Sequence, residues 1–388
     1  MKLFDDIARF DIDVPLYRET NYNYLNRSAR PIAYMIREFI DNWFSHYPEN
    51  LGEELKQRFC SNNNSQYDGA FFELFLHELL HRLGYQCMLH PQLPSNNSKR
   101  PDFQLTIGDS KLYIEATIAR EESDAEIAAQ SRMNDILEAI EQNLHSPNFF
   151  ININIRSKPE TSIPVTKIIA FLEKKLCSVD PEELTEVLVK EPQVRNLPHW
   201  VYRYQGWDIE FFPIPRNKPG LRNIGICTGG FEKVKTSEAI RRAVVKKAGR
   251  YGELEWPFII AVNALGDPQH SHIIEALFGD DMINVTFTDT KPRSITNIES
   301  SRSLNGAWVS ESKPRYTRVS AVLIAFRLSP WNVPDTKLCL YHNPWAKRPI
   351  NGLLSEIDQV IPNNGQMEHI EGISLQKLMN LPSEWLKE

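Results

Sequence analysis

The first legible order in the chain is a helical stripe. Between residues 30 and 58, Ile32, Met35, Ile36, Phe39, Ile40 and Trp43 recur at the three- and four-residue spacing of one helix face, and Pro31 suits a first turn. The polar run Ser61 to Ser65 interrupts this segment, and a strongly amphipathic helix is predicted from about Asp68 to Leu83, stopped by Gly84. From Tyr85 the period shortens to an alternation, which predicts strands over 85–90, 102–107 and 111–118. A polar helix over 122–145 leads to an Ile-rich strand over 149–155. Helices over 164–176 and 181–190 precede a Pro- and aromatic-rich stretch, 192–220. A basic helix over 235–250 then feeds the apolar strand 258–263. Short strands over 283–288, 319–326 and 337–341 and a last helix near 374–380 complete a pattern of the α/β class.

The hairpin over 102–118 is the most informative stretch. Alternation puts Phe103, Leu105, Ile107, Leu112, Ile114, Ala116 and Ile118 on one face and Asp102, Gln104, Tyr113, Glu115 and Thr117 on the other. A two-residue Gly108-Asp109 turn sets a register in which Asp102 lies directly across from Glu115, with Cβ atoms about 4.5–5.5 Å apart. Two carboxylates this close repel unless a cation or a proton joins them. A hard ion such as Mg²⁺, or Mn²⁺ in its place, suits one or two carboxylates completed by water and phosphate oxygens.

The basic helix contributes positive charge. Ile240, Ala243, Val244, Lys247 and Tyr251 share one stripe, so Lys247 either snorkels outward or reaches a site from beneath. Lys233, Lys235, Arg241, Arg242, Lys246, Lys247 and Arg250 face only Glu232 and Glu238 nearby, a segment able to track phosphates or simply to meet solvent. Lys313, Arg315, Tyr316 and Arg318 form a smaller basic and aromatic cluster.

A helix bearing Glu73, then Gly84-Tyr85 and a strand, then Pro101-Asp102, then Glu115-x-Thr117, resembles the PD-(D/E)xK nuclease superfamily. The resemblance covers residues 68–118 and implies a restriction-endonuclease-like α-β-β-β-α-β core. Around that core stand an N-terminal helical lead-in, an insertion and a C-terminal extension. It implies Asp102 and Glu115 as metal ligands, Glu73 as the helix glutamate that holds a water of the metal, and phosphodiester hydrolysis, with DNA as the expected partner. Thr117 stands where the family expects lysine. Members of the superfamily move that lysine to a following helix, which makes Lys247 the preferred substitute; Arg100, across from Thr117, and Lys111 are the other candidates. Arg100, Arg241, Arg242, Lys246 and Arg250 are the expected nucleic-acid contacts. Without the lysine, a nuclease-like fold that binds nucleic acid or a partner protein without cutting is the second reading.

A third reading comes from His77-Glu78-x-x-His81, which satisfies HExxH: two imidazoles on one helix flank for Zn²⁺, with Glu78 to activate a water. Cys87 holds the position of a metzincin's third ligand, and ordinary flank histidines are the simpler account.

The 388 residues are divided as an N-terminal helical region (1–60), a first part of the core (61–160), an insertion (161–234) and a core-completing helix and strand with a C-terminal α/β extension (235–388). The segment 122–155 competes with 235–263 for completing the core, and a catalytic Lys247 favours the latter. The net charge of −6 excludes binding of nucleic acid by bulk positive charge, leaving local patches. No apolar run nears the ~18 residues of a membrane span. The acidic start MKLFDD and five scattered cysteines, with no CxxC, lead us to expect a cytoplasmic protein without a disulfide framework, alone, as a homodimer or with a protein partner.

Overall fold

A computed structural model describes residues 1–93, 99–122, 124–157, 161–191, 193–218, 222–226, 236–287, 295–310, 313–363, 366–382 and 385. Four helices come first: α1 (Asn21–Arg27), α2 (Pro31–Ser45), α3 (Glu49–Phe59) and α4 (Asn64–Arg82). The stripe expected over 30–58 is two helices, because Pro48 lacks the N–H a continuous helix needs and stands instead as the N-cap of α3. Helix α4 begins before Asp68. The Asn63 side chain accepts the Ser65 N–H at 2.8 Å and caps it, and Gly84 leaves its far end at φ +82°. The pattern predicts an amphipathic helix, and every residue from Ala70 to Leu80 is buried. Its polar flank is covered by α2 and α3 rather than by water.

Strands β1 (Gln86–Leu89), β2 (Phe103–Ile107) and β3 (Ser110–Ala119) run antiparallel in sequence order. The chain then enters a second unit, Glu122–Lys233 together with Phe10–Thr20. This unit comprises α5 (Asp124–Asn143), β4 (Phe149–Ile155), α6 (Val165–Leu176), α7 (Pro181–Lys190), β5 (Trp200–Tyr204), β6 (Trp207–Pro215) and β7 (Ile224–Ile226). Its sheet has the order β5-β6-β4-β7, and Ile151, Ile153, Trp207 and Phe211 centre its core. The second unit therefore opens at Glu122, well before residue 161. The strand over 149–155 pairs with β6 and β7, not with the β2–β3 hairpin.

The first unit resumes with α8 (Thr236–Ala248), β8 (Phe258–Ala264), α9 (His270–Phe278), a hairpin of β9 (Asp281–Phe287) and β10 (Ile295–Arg302), and the short pair β11 (Val309–Ser310) and β12 (Lys313–Pro314). It ends with β13 (Ala321–Phe326), β14 (Leu338–His342), β15 (Asp358–Asn363), β16 (Gln366–Ile370) and α10 (Leu375–Leu378). The result is an eight-stranded mixed sheet, β1-β2-β3-β8-β13-β14-β15-β16, in which β8 lies parallel to both β3 and β13. All seven residues of β8 are buried, as a central parallel strand requires. Thus 235–263, not 122–155, lies beside the hairpin.

The two faces of this sheet have separate cores. Phe103, Leu105, Ile114 and Ile259 face α2 and α4 through Trp43, Phe71 and Phe75. Tyr113, Phe258, Ile260 and Val262 face α8 and α9 through Ile240, Val244 and Ile273. The segment 1–60 is no separate domain: Leu25, Ile36 and Leu55 share the first of these cores. Burying each of Phe71, Phe72 and Phe75 contributes roughly 1.5–3 kcal/mol, enough to make α4 the anchor of this layer. No helix among the described residues is long and apolar enough to cross a membrane. Cys60, Cys87, Cys177 and Cys339 are free thiols, and Cys227, like Lys233 and Lys235, lies outside the described residues.

Candidate functional site

The β2–β3 hairpin adopts the register that its turn and alternation predict. Ile107 pairs with Ser110 and Phe103 with Ile114, and Gly108 takes the left-handed φ of +53° that lets two residues reverse the chain. Two residues beyond the Phe103–Ile114 pair, where β2 offers no partner, the Ala116 N–H of β3 meets a side chain instead of a strand. Asp102 Oδ2 accepts that N–H at 2.7 Å. Its carboxyl is thereby held beside Glu115. Burial first, then the charges of Glu115 and Glu73, push Asp102 up to about 7, against the opposing pull of the Ala116 N–H and Lys247.

Glu115 is 1% exposed, and a carboxylate so buried needs donors on both oxygens. All of them come from α8 and the turn that follows it. Lys247 Nζ donates to Oε1 at 2.6 Å, Arg250 Nη1 donates to the same oxygen at 2.9 Å, and the Tyr251 hydroxyl donates to Oε2. Lys247 thus reaches the hairpin from beneath, with only 15% of its side chain exposed. The Arg100 carbonyl lies 2.8 Å from the same hydroxyl, so the single phenolic proton is shared between it and Glu115, and one phenol ties the Pro101-Asp102 arm to the Glu115 arm. Burial and the adjoining Glu115 keep that phenol protonated, its pKa raised. The tie was not legible as such, although Tyr251 stands four residues from Lys247 on the same stripe. Helix α8 stops at Ala248, so Tyr251 arrives through the Lys247–Arg250 turn and not as a further helical residue.

Glu73 is close enough to raise Asp102, but both its oxygens are engaged: Tyr47 Oη donates to Oε1 at 2.7 Å and Arg58 Nη2 to Oε2 at 2.8 Å. Burial at 5% exposure demands these partners, and they hold Glu73 apart from a shared ligand set. Among the described residues no group of three His, Cys, Asp or Glu side chains is arranged to hold a metal. The Asp102 and Glu115 carboxylates nevertheless offer the oxygen donors a hard divalent ion takes, and Mg²⁺ accepts as few as one or two protein carboxylates.

The HExxH residues do not converge as zinc ligands. Glu78, fully buried, accepts from Arg82 Nε at 2.6 Å and pairs with His46 Nδ1 at 2.7 Å. The His81 ring stands 5.1 Å from that of His46, while His77 packs on Tyr47 with its buried Nδ1 unpartnered among the described residues. Burial, followed by the neighbouring His81, lowers His77 to about 4. The sign follows from linkage. Between about 6.5 and about 4 the unfolded chain takes up a proton that the folded chain refuses, so stability falls as pH falls through that window. Relative to His77→Gln, the wild-type chain should lose about 2–3 kcal/mol over this range in denaturant titrations. An unchanged difference between the two proteins would contradict the burial argument.

The expected nucleic-acid contacts divide. Arg241 is paired with Asp280 at 2.6 Å and donates to the Glu275 carbonyl at 3.1 Å, so its guanidinium is engaged within the protein. Arg242, Lys246 and the Arg100 side chain are exposed, and Arg250 is half-exposed at the rim of the Glu115 site. Lys111 lies over the Trp256 ring at 5.8 Å, away from the acids. No protein-family model, curated protein or solved structure matches the chain.

Proposed function

We propose that this chain is a divalent-metal-dependent nuclease that hydrolyses phosphodiester bonds, of DNA foremost, on a restriction-endonuclease-like core. The observation that carries this reading is Lys247 Nζ at 2.6 Å from Glu115, next to Asp102, in a protein whose hairpin lacks the motif lysine. The succession α4, β1, β2, β3, then α8 and β8 beside β3, supports the same core.

In this reading Asp102 and Glu115 would hold Mg²⁺ or Mn²⁺, which when bound neutralises phosphate charge and makes water acidic enough to act as a nucleophile near neutral pH. Lys247 moves from Glu115 to the phosphate oxygen on which charge develops, and Arg250 shares that charge from the rim. Tyr251 keeps Oε2 of Glu115 fixed while Oε1 changes partners. Glu73, held by Tyr47 and Arg58, acts through its field on Asp102. A second reading, a nuclease-like protein that binds without cutting, is favoured by the full set of donors already on Glu115.

Purified protein incubated with supercoiled plasmid and Mg²⁺ or Mn²⁺ should nick or linearise it, with cutting lost in Asp102→Ala and retained in His81→Ala. Salt-sensitive DNA binding without cutting under either metal would overturn hydrolysis in favour of the second reading. Stoichiometric zinc that disappears in His81→Ala would favour a peptidase.

A further inference from the structure

Helix α8 ends against a loop that carries the smaller basic and aromatic cluster. A Cβ built on Gly249 would lie 3.9 Å from the Tyr316 ring, which places that ring beside the residue preceding Arg250. Arg250 in turn donates to Glu115. Tyr316 is held at φ +49°, a left-handed conformation that a bulky side chain rarely adopts. The surrounding backbone maintains it: Arg315 N–H donates to the Trp308 carbonyl at 2.7 Å, Val319 N–H to the Tyr316 carbonyl at 2.8 Å, and Lys347 N–H to the Thr317 carbonyl at 2.7 Å.

The ring is half-buried on the α8-side core, and the Arg315 guanidinium lies over it, 5.0 Å from its centroid. Ring and guanidinium therefore form a two-deck stack on a backbone already held in place, to which a third plane can add. Around it the charge is positive. Lys313 and Arg315 are exposed, Arg318 is half-exposed, and Arg242 and Lys246 are exposed on α8. Glu253, an acid on the neighbouring turn, is paired with Lys347 at 3.2 Å.

We infer that the Arg315–Tyr316 stack receives an unpaired base of the strand whose phosphate meets Lys247 and Arg250, so that the substrate is nucleic acid with single-stranded character at the cleavage point. Cations alone would serve any phosphate backbone. An aromatic plane serves only a base whose face is free, which a closed duplex does not offer along its length. The inference rests on the nuclease reading for the identity of the phosphate, but its binding test does not require cleavage.

In EDTA, fluorescence anisotropy would be measured with labelled oligothymidylate, oligouridylate and a blunt DNA duplex. Tyr316→Leu, which fills the same apolar flank without a π-face, should weaken oligothymidylate binding about 5- to 100-fold and duplex binding less than about 2-fold. Tyr316→Phe should bind as wild type. Arg315→Ala, an exposed change that leaves the core intact, should weaken single-strand binding and flatten its salt dependence. Oligouridylate, which differs from oligothymidylate in its ribose and its missing 5-methyl group, reports whether an RNA strand is received by the same stack. Equal losses on both DNA forms, or no loss in Tyr316→Leu, would overturn the inference. A Tyr316-dependent preference for single strands without hydrolysis in Mg²⁺ would instead count against the nuclease reading alone.

Discussion

Asp102→Asn is expected to be inactive and, above pH 7, more stable than the wild-type chain. In the wild type the carboxyl is raised from 3.8 to about 7, chiefly by burial and then by Glu115 and Glu73. Between those two values the folded chain holds a proton that the unfolded chain has released, so wild-type stability falls as pH rises through this window. Asparagine keeps an acceptor for the Ala116 N–H and never ionises. The variant should therefore gain about 2–4 kcal/mol on the wild type between pH 4 and pH 8, read from denaturation midpoints. Mg²⁺ should stabilise the wild type at the upper end and leave the variant unmoved, since metal binding there replaces the proton. A wild type that gained on the variant with rising pH would refute the assigned repulsion. Loss of function accompanied by gain of stability is what a strained charged site predicts.

Under the proposed hydrolysis, Lys247→Met should lower turnover on the order of 10²- to 10³-fold, mainly in kcat, because the charge Lys247 would neutralise appears on phosphate only as the bond breaks. Its stability cost is set by what remains around Glu115. Deleting one partner of a buried pair ordinarily costs about 3–5 kcal/mol, but Arg250 and Tyr251 still donate to this carboxylate, and about 1–3 kcal/mol is expected. Adding Glu115→Gln to Lys247→Met should restore most of that stability and none of the activity, a separation that a double-mutant cycle measures. Lys247→Arg should not rescue turnover, since a planar fork cannot occupy the position of a compact ammonium. Full activity in Lys247→Met would remove the lysine from the chemistry.

The features legible along the chain are local in origin. The period-two alternation of 103–118 and the Gly108-Asp109 turn are short-range constraints, and they suffice to set the Phe103–Ile114 register beyond which Asp102 and Glu115 follow. The apolar spacing of α8 likewise singles out Lys247 as the one lysine of its stripe. Which helix and strand join that hairpin is set by long-range packing, because parallel pairing of β3 with β8 spans the whole second unit in sequence and leaves no local trace. Long-range packing also decides which charges are free. Glu73 is held by Tyr47 and Arg58, Glu78 by Arg82 and His46, and Arg241 by Asp280, while Tyr251 closes under Glu115. A residue's type states what charge it carries, but the partner that neutralises it is chosen by burial, since a carboxylate removed from water must find its donors wherever the folded chain brings them.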